Sequence, residues 1–167
     1  NLMVPFFCIS SDVKNKRKVI HTGGDLGSAV RASMTYPFVF KPITIDSTVL
    51  FDGGFYDNFP WKELDRLYSP DVIIGAKCVS GDAPLDDEDI IGQITNMIVQ
   101  PTDFNIPSSK GVLVQGRYPY GVMEFEKGRE IIGLGYANAN NMMDSILLKV
   151  ERRRSQRELD SMRFVFR

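Results

Sequence analysis

A carboxylate at the end of a short apolar run, followed at once by two glycines, is a candidate general base. Residues 51–60 read F-D-G-G-F-Y-D-N-F-P. The run Thr48-Val49-Leu50-Phe51 delivers Asp52 onto Gly53 and Gly54, and Asn58 and Pro60 follow at a short, fixed distance. Glycine permits backbone angles and close approaches that a side chain would block. A bend through Gly53 and Gly54 would hold one acid still at the carboxyl end of a strand, where open α/β sheets build their sites. The same tripeptide also reads as a plain hairpin turn, since Asp before Gly favours one. The flanking segments decide between the two.

Upstream, Gly24 to Pro42 reads G-D-L-G-S-A-V-R-A-S-M-T-Y-P-F-V-F-K-P. Leu26, Ala29, Val30, Ser33 and Met34 share one face at helical spacing. Asp25 stands where an N-cap belongs, and Pro37 closes the helix by pushing its predecessor out of helical angles. Downstream, residues 71–80 read D-V-I-I-G-A-K-C-V-S. That nearly continuous apolar run predicts a strand covered on both faces.

These pieces, in this order, resemble the patatin-like phospholipase family. Its pattern is a small-residue helix, A-x-x-A-S-x-x-x-P-x-x-F-x-P, then a strand ending D-G-G or D-G-A, an N-x-P, a helix and an apolar strand. The matching residues are Ala29, Ala32, Ser33, Pro37, Phe40 and Pro42, then Asp52-Gly53-Gly54, then Asn58 and Pro60. The early run from Pro5 to Asp12 is similar to a family strand that ends in Asp, and the segment from Val122 to Ala139 is similar to a late family helix. Each piece is weak alone; order and spacing make the signal.

The resemblance implies hydrolysis of acyl esters by a Ser–Asp dyad. In the family the serine sits in a G-x-S-x-G elbow and a glycine-rich loop forms the oxyanion hole. By motif position the base is Asp52. Gly53 and Gly54 would shape its turn, with alanine tolerated at the second, and Asn58 and Pro60 would fix the following loop. The chemistry agrees: a serine hydroxyl needs a neighbouring base, and backbone donors must stabilise the oxyanion. A dyad needs no histidine, and His21, the only one, reads as an ordinary surface or edge residue.

No G-x-S-x-G occurs in the 167 residues. Ser109, in P-S-S-K-G, comes nearest but lacks the leading glycine and the strand-to-helix setting. Gly23-Gly24 reads as the turn feeding the helix rather than an oxyanion loop. The expectation is therefore that residues 1–150 form the C-terminal part of a patatin-like acylhydrolase domain, with serine and oxyanion loop in an N-terminal part that acts as its partner. On this reading the chain alone is inactive. The alternative is a non-catalytic patatin-like binding or scaffold domain. A nucleotide-binding domain would need a phosphate loop, and no Gly-rich, Lys-containing loop opens a helix here.

The expected fold class is α/β: a three-layer α/β/α arrangement with a mainly parallel sheet. Length, a hydrophobic fraction of 43% and a charged fraction of 25% suit one globular domain with a real core. A net charge of −1 argues against nucleic acid as a partner. The implied partners are a lipid or acyl-ester substrate and, through the basic stretch near residues 151–167, an anionic membrane surface. That stretch reads as a tail or a linker to a further region. Some bacterial patatin-like proteins resemble this in continuing into an outer-membrane barrel, which points to a bacterial setting. No cofactor or metal is expected; Asp86, Asp87 and Asp89 read first as acids favouring a helix start. Cys8 and Cys78 read as two buried thiols.

The expected strands lie near 4–10, 17–22, 43–46, 48–52, 71–79 and 111–116. Helices are expected near 26–35, from Pro60, over 90–100 and over about 126–152. The last would bury Ile132, Gly135, Tyr136, Ala139, Met142, Met143, Ile146, Leu147 and Val150 as a core stripe. Residues 117–123 read as an exposed aromatic loop.

Overall fold

The structure, a computed structural model, describes residues 2–78, 90, 93–94, 97, 99–116, 118–121, 124–150 and 155–165. The chain divides into two compact units, Asn1–Pro60 with Pro84–Asp103, and Trp61–Ala83 with Phe104–Arg167.

The first unit is built on four strands, β1 (Cys8–Asp12), β2 (Arg17–His21), β3 (Ile43–Ile45) and β4 (Thr48–Asp52), in the order β2-β1-β4-β3. All three pairings are antiparallel. Two tight turns set the registers. Asp12, buried, accepts hydrogen bonds from the Asn15 backbone N–H (3.1 Å), the Asn15 side-chain amide (2.7 Å) and Arg17 Nε (3.0 Å). The Asn15 side chain is the main cause that holds the Asp12 carboxyl below its ordinary pKa. Asp46 and Ser47, both with positive φ (48° and 63°), join β3 to β4. Such a pair matches the right-handed twist of a hairpin.

Helix α1 (Leu26–Ser33) starts at Asp25, whose side chain accepts from the Ser28 N–H at 2.7 Å. It packs on β1 and β4 through Ala29 and Ala32, the two buried residues of the helix. With Ile9 and Leu50 they form the core of this unit. The helix ends at Ser33, before Pro37 can act, with Met34 as its cap.

The second unit holds α2 (Trp61–Tyr68), β5 (Ile73–Lys77), β6 (Gly111–Gln115), α3 (Gly128–Asn141), α4 (Met143–Leu147) and α5 (Gln156–Val165). β5 and β6 pair in parallel. The protein is α/β, as expected. The parallel character resides in β5–β6, whereas the sheet that carries Asp52 is antiparallel.

Several sequence expectations change. β5 is not covered on both faces: Ile73 and Gly75 are buried, while Ile74 and Ala76 are exposed. Such alternation marks a strand with one buried face. The stripe on the late helix is not a closed core, since Ile132 and Tyr136 are 72% and 71% exposed. That helix also breaks at Met142 into α3 and α4. Tyr118, from the aromatic run expected to be exposed, is buried and accepts a hydrogen bond from the Asn138 amide at 3.2 Å. Cys8 is half-buried but Cys78 is exposed, and both are free thiols. Asp86, Asp87 and Asp89 lie outside the described residues.

Leu50, on β4 and 1% exposed, is the central apolar side chain of the first sheet. Leu50→Ala should lower unfolding free energy by about 2–5 kcal/mol in urea titration.

Candidate active site

Asp52 is the last residue of β4, and its backbone is tied on two sides. It lies opposite Ser10 of β1 in the strand register, and its N–H donates to the Thr35 carbonyl at 2.9 Å. The chain then turns into a single 3₁₀ turn, Gly53–Phe55, capped by the Asp52 side chain itself. Oδ1 accepts from the Gly54 N–H at 2.8 Å. Among the described residues Oδ2 has no hydrogen-bond partner.

The two glycines differ in what they permit. A Cβ at Gly53 would stand 2.3 Å from the Ile9 carbonyl oxygen, inside any tolerable contact with backbone. Only glycine lets β4 turn this close against β1. A Cβ at Gly54 would stand 3.1 Å from Asp52 Oδ1 and 3.2 Å from Asn58 Oδ1. Those neighbours are side-chain atoms that can shift by a few tenths of an ångström.

The loop beyond is fastened from three directions. The Tyr56 and Asp57 N–H groups both donate to the Gly53 carbonyl, at 3.2 and 3.0 Å. Asp57 takes an ion pair from Lys18 on β2 at 2.7 Å. Phe55, 5% exposed, meets Phe51 edge-to-face at 6.2 Å between ring centres, and its carbonyl accepts from the Gln100 N–H at 2.8 Å. Asn58 is exposed and sits beside Gly54; Pro60 directly precedes α2. The structure thus gathers Asp52, Gly53, Gly54 and Asn58 at one bend.

The carboxyl is half-buried, and burial pushes its pKa above the ordinary aspartate value, against a smaller downward pull from the Gly54 N–H. An acid in that condition is a stronger proton acceptor than a solvated one once it is ionised. It does not hang free in water. Nor does it sit at the mouth of a parallel sheet, because both neighbours of β4 run antiparallel.

His21 is more engaged than an ordinary edge residue. It closes the edge strand β2, half-buried, with Nε2 at 2.7 Å from Ser10 Oγ. Burial lowers its pKa and favours the neutral ring. Ser10 is fully buried in a central strand, so this pair offers no reachable nucleophile. Ser109 lies in an exposed turn of the second unit, not in an elbow. Gly24, with φ of 92°, is the turn that feeds α1, as its sequence suggested.

A sequence model of the patatin-like phospholipase family matches residues 10–65, the stretch from β1 through the glycine bend to α2. This stretch is similar to the patatin-like phospholipases. The similarity extends to curated fungal proteins. Lysophospholipase NTE1 of Eremothecium gossypii is 26% identical over 138 residues, covering 80% of this chain and 9% of that protein. The NTE1 lysophospholipase of Candida albicans is 25% identical over 138 residues, covering 80% of this chain and 10% of its own length. That of Meyerozyma guilliermondii reaches 36% over 61 residues, 36% of this chain and 4% of the relative. The chain spans about a tenth of the length of the first of these relatives. Since they are fungal, they lend nothing to the bacterial setting read from the tail.

Two predictions follow from this geometry. Gly53→Ala should destabilise the protein by about 1–3 kcal/mol, as overpacking against a fixed carbonyl does. Gly54→Ala should cost clearly less in the same urea titration. The second prediction concerns pH. Because the folded pKa of Asp52 is raised, the native state holds its proton more tightly than the unfolded chain does. Stability from this group is present below the unfolded pKa and lost as pH rises through the folded one. Asp52→Asn should therefore gain stability relative to the parent as pH rises through that window, and the gain should vanish in acid.

Proposed function

We propose that this chain is the part of a lipid acyl hydrolase that supplies the base of a Ser–Asp dyad, with Asp52 as that base. The observation that carries the reading is the state of one carboxylate. It is half-buried, held through Oδ1 by Gly54, and left with a second oxygen that no described group occupies. Such an acid can accept a proton from a hydroxyl set against Oδ2, at a fixed angle and with a raised affinity for that proton.

The nucleophilic serine lies outside these 167 residues, in an N-terminal part of the same domain that also brings the oxyanion donors. Residues 1–150 are then the C-terminal part of the catalytic domain, and 151–167 a basic tail that contacts an anionic surface or leads onward. α5 occupies residues 156–165 of that tail. The family match and the lysophospholipase names of the relatives support a phospholipid or lysophospholipid ester as substrate.

The test is ester hydrolysis by the intact protein that contains this segment. Asp52→Asn should abolish turnover while the protein stays folded by circular dichroism. Full turnover in that variant would remove Asp52 from the mechanism. The 167-residue chain alone should remain unlabelled by a serine-directed phosphonate, and stoichiometric labelling would place a nucleophile within it. A gene in which no G-x-S-x-G precedes Asn1 would favour the scaffold alternative.

A further inference from the structure

Arg31 and Thr35 take no part in the dyad, yet they build the wall on which Asp52 leans. Thr35 is fully buried, one residue beyond the cap of α1. Its hydroxyl donates to the Arg31 carbonyl at 2.7 Å and accepts from Arg31 Nη1 at 2.8 Å. The second arm of the guanidinium, Nη2, reaches the Lys41 carbonyl at 3.1 Å. Its centre lies 5.4 Å above the Phe40 ring, within cation–π range. One side chain thus ties together the end of α1 and the far end of the 35–41 loop. Between those ties the Thr35 carbonyl is aimed at the Asp52 N–H, 2.9 Å away.

We infer that Arg31 and Thr35 are positioning residues for Asp52. The guanidinium fork fixes the Thr35 carbonyl, and that carbonyl fixes the backbone of the acid before the glycine bend turns away. The device needs the planar, two-armed donor of arginine, since a lysine ammonium cannot hold Thr35 Oγ1 and the Lys41 carbonyl in one rigid geometry. It also needs a hydroxyl at residue 35, because valine of the same shape would leave the Nη1 donor without its acceptor. The Arg31 charge itself is not a cause of the Asp52 shift, which comes from burial and the Gly54 N–H. The role is therefore one of placement.

The test compares Thr35→Val, Arg31→Lys and Thr35→Ser in the full chain by amide hydrogen exchange. In Thr35→Val and Arg31→Lys the Asp52 amide should exchange roughly five- to tenfold faster than in the parent, with Leu50 on the same strand little changed. Thr35→Ser, which keeps the hydroxyl, should restore the parent rate. Equal acceleration at Asp52 and Leu50 would mean general loosening and overturn the inference. So would an unchanged Asp52 amide in both disruptive variants.

The role in turnover rests on the acyl-hydrolase reading and has its own measurement. In ester hydrolysis by the intact protein, both disruptive variants should lower kcat with KM unchanged, and Thr35→Ser should rescue it. A raised KM at constant kcat would overturn the positioning role. Absence of turnover in the parent would instead remove the acyl-hydrolase reading, leaving the exchange result to decide whether Asp52 is held in this way.

Discussion

The first unit depends on one close approach, that of Gly53 to the Ile9 carbonyl. β4 lies against β1 through Asp52 and Phe51, and the chain must leave the sheet at once without colliding with it. A hydrogen atom in place of a side chain is what makes that exit possible. The consequences run outward from the bend. The Gly54 N–H comes to face Asp52 Oδ1, the Gly53 carbonyl collects the next two N–H groups, and Phe55 returns into the core.

The acid at this bend is held by backbone more than by charge. A backbone carbonyl from residue 35 and a backbone N–H from residue 54 grip it on either side. The ion pair on the following loop belongs to Asp57, with Lys18. Asp12 is the fully buried aspartate of this sheet. Asp12 is saturated by an amide, a backbone N–H and a guanidinium, and its pKa falls. Asp52 is half-buried with one oxygen free among the described residues, and its pKa rises. The saturated acid locks a hairpin. Burial disfavours the charged form of the other, which accords with its proposed role as a base.

Much of the candidate site was legible beforehand because its signals are local. Asp25 as a cap and the D-G-G bend each follow from a few consecutive residues whose backbone preferences agree. The readings that failed were those that asked what covers a surface. Ile74, Ile132 and Tyr136 carry the apolar spacing of core residues yet stand exposed. Periodicity reports which face of an element would profit from burial and says nothing about whether another segment lies on it. Arg31 and Thr35 were passed over for a related reason. Their i,i+4 spacing is visible in sequence, but the carbonyl that Thr35 presents to Asp52 bridges seventeen positions of chain.

The order of residue types along the chain determined the α/β class, the position of the acid, the two glycines and most strand and helix starts, because steric limits on φ and ψ act within a few residues. Only the tertiary structure decided that β4 pairs in antiparallel fashion, that Gly53 and not Gly54 is the indispensable glycine, and that Ser10 is sealed beside His21. Those facts depend on which atoms from distant segments come within a few ångströms of one another, and contact at that range is a property of packing.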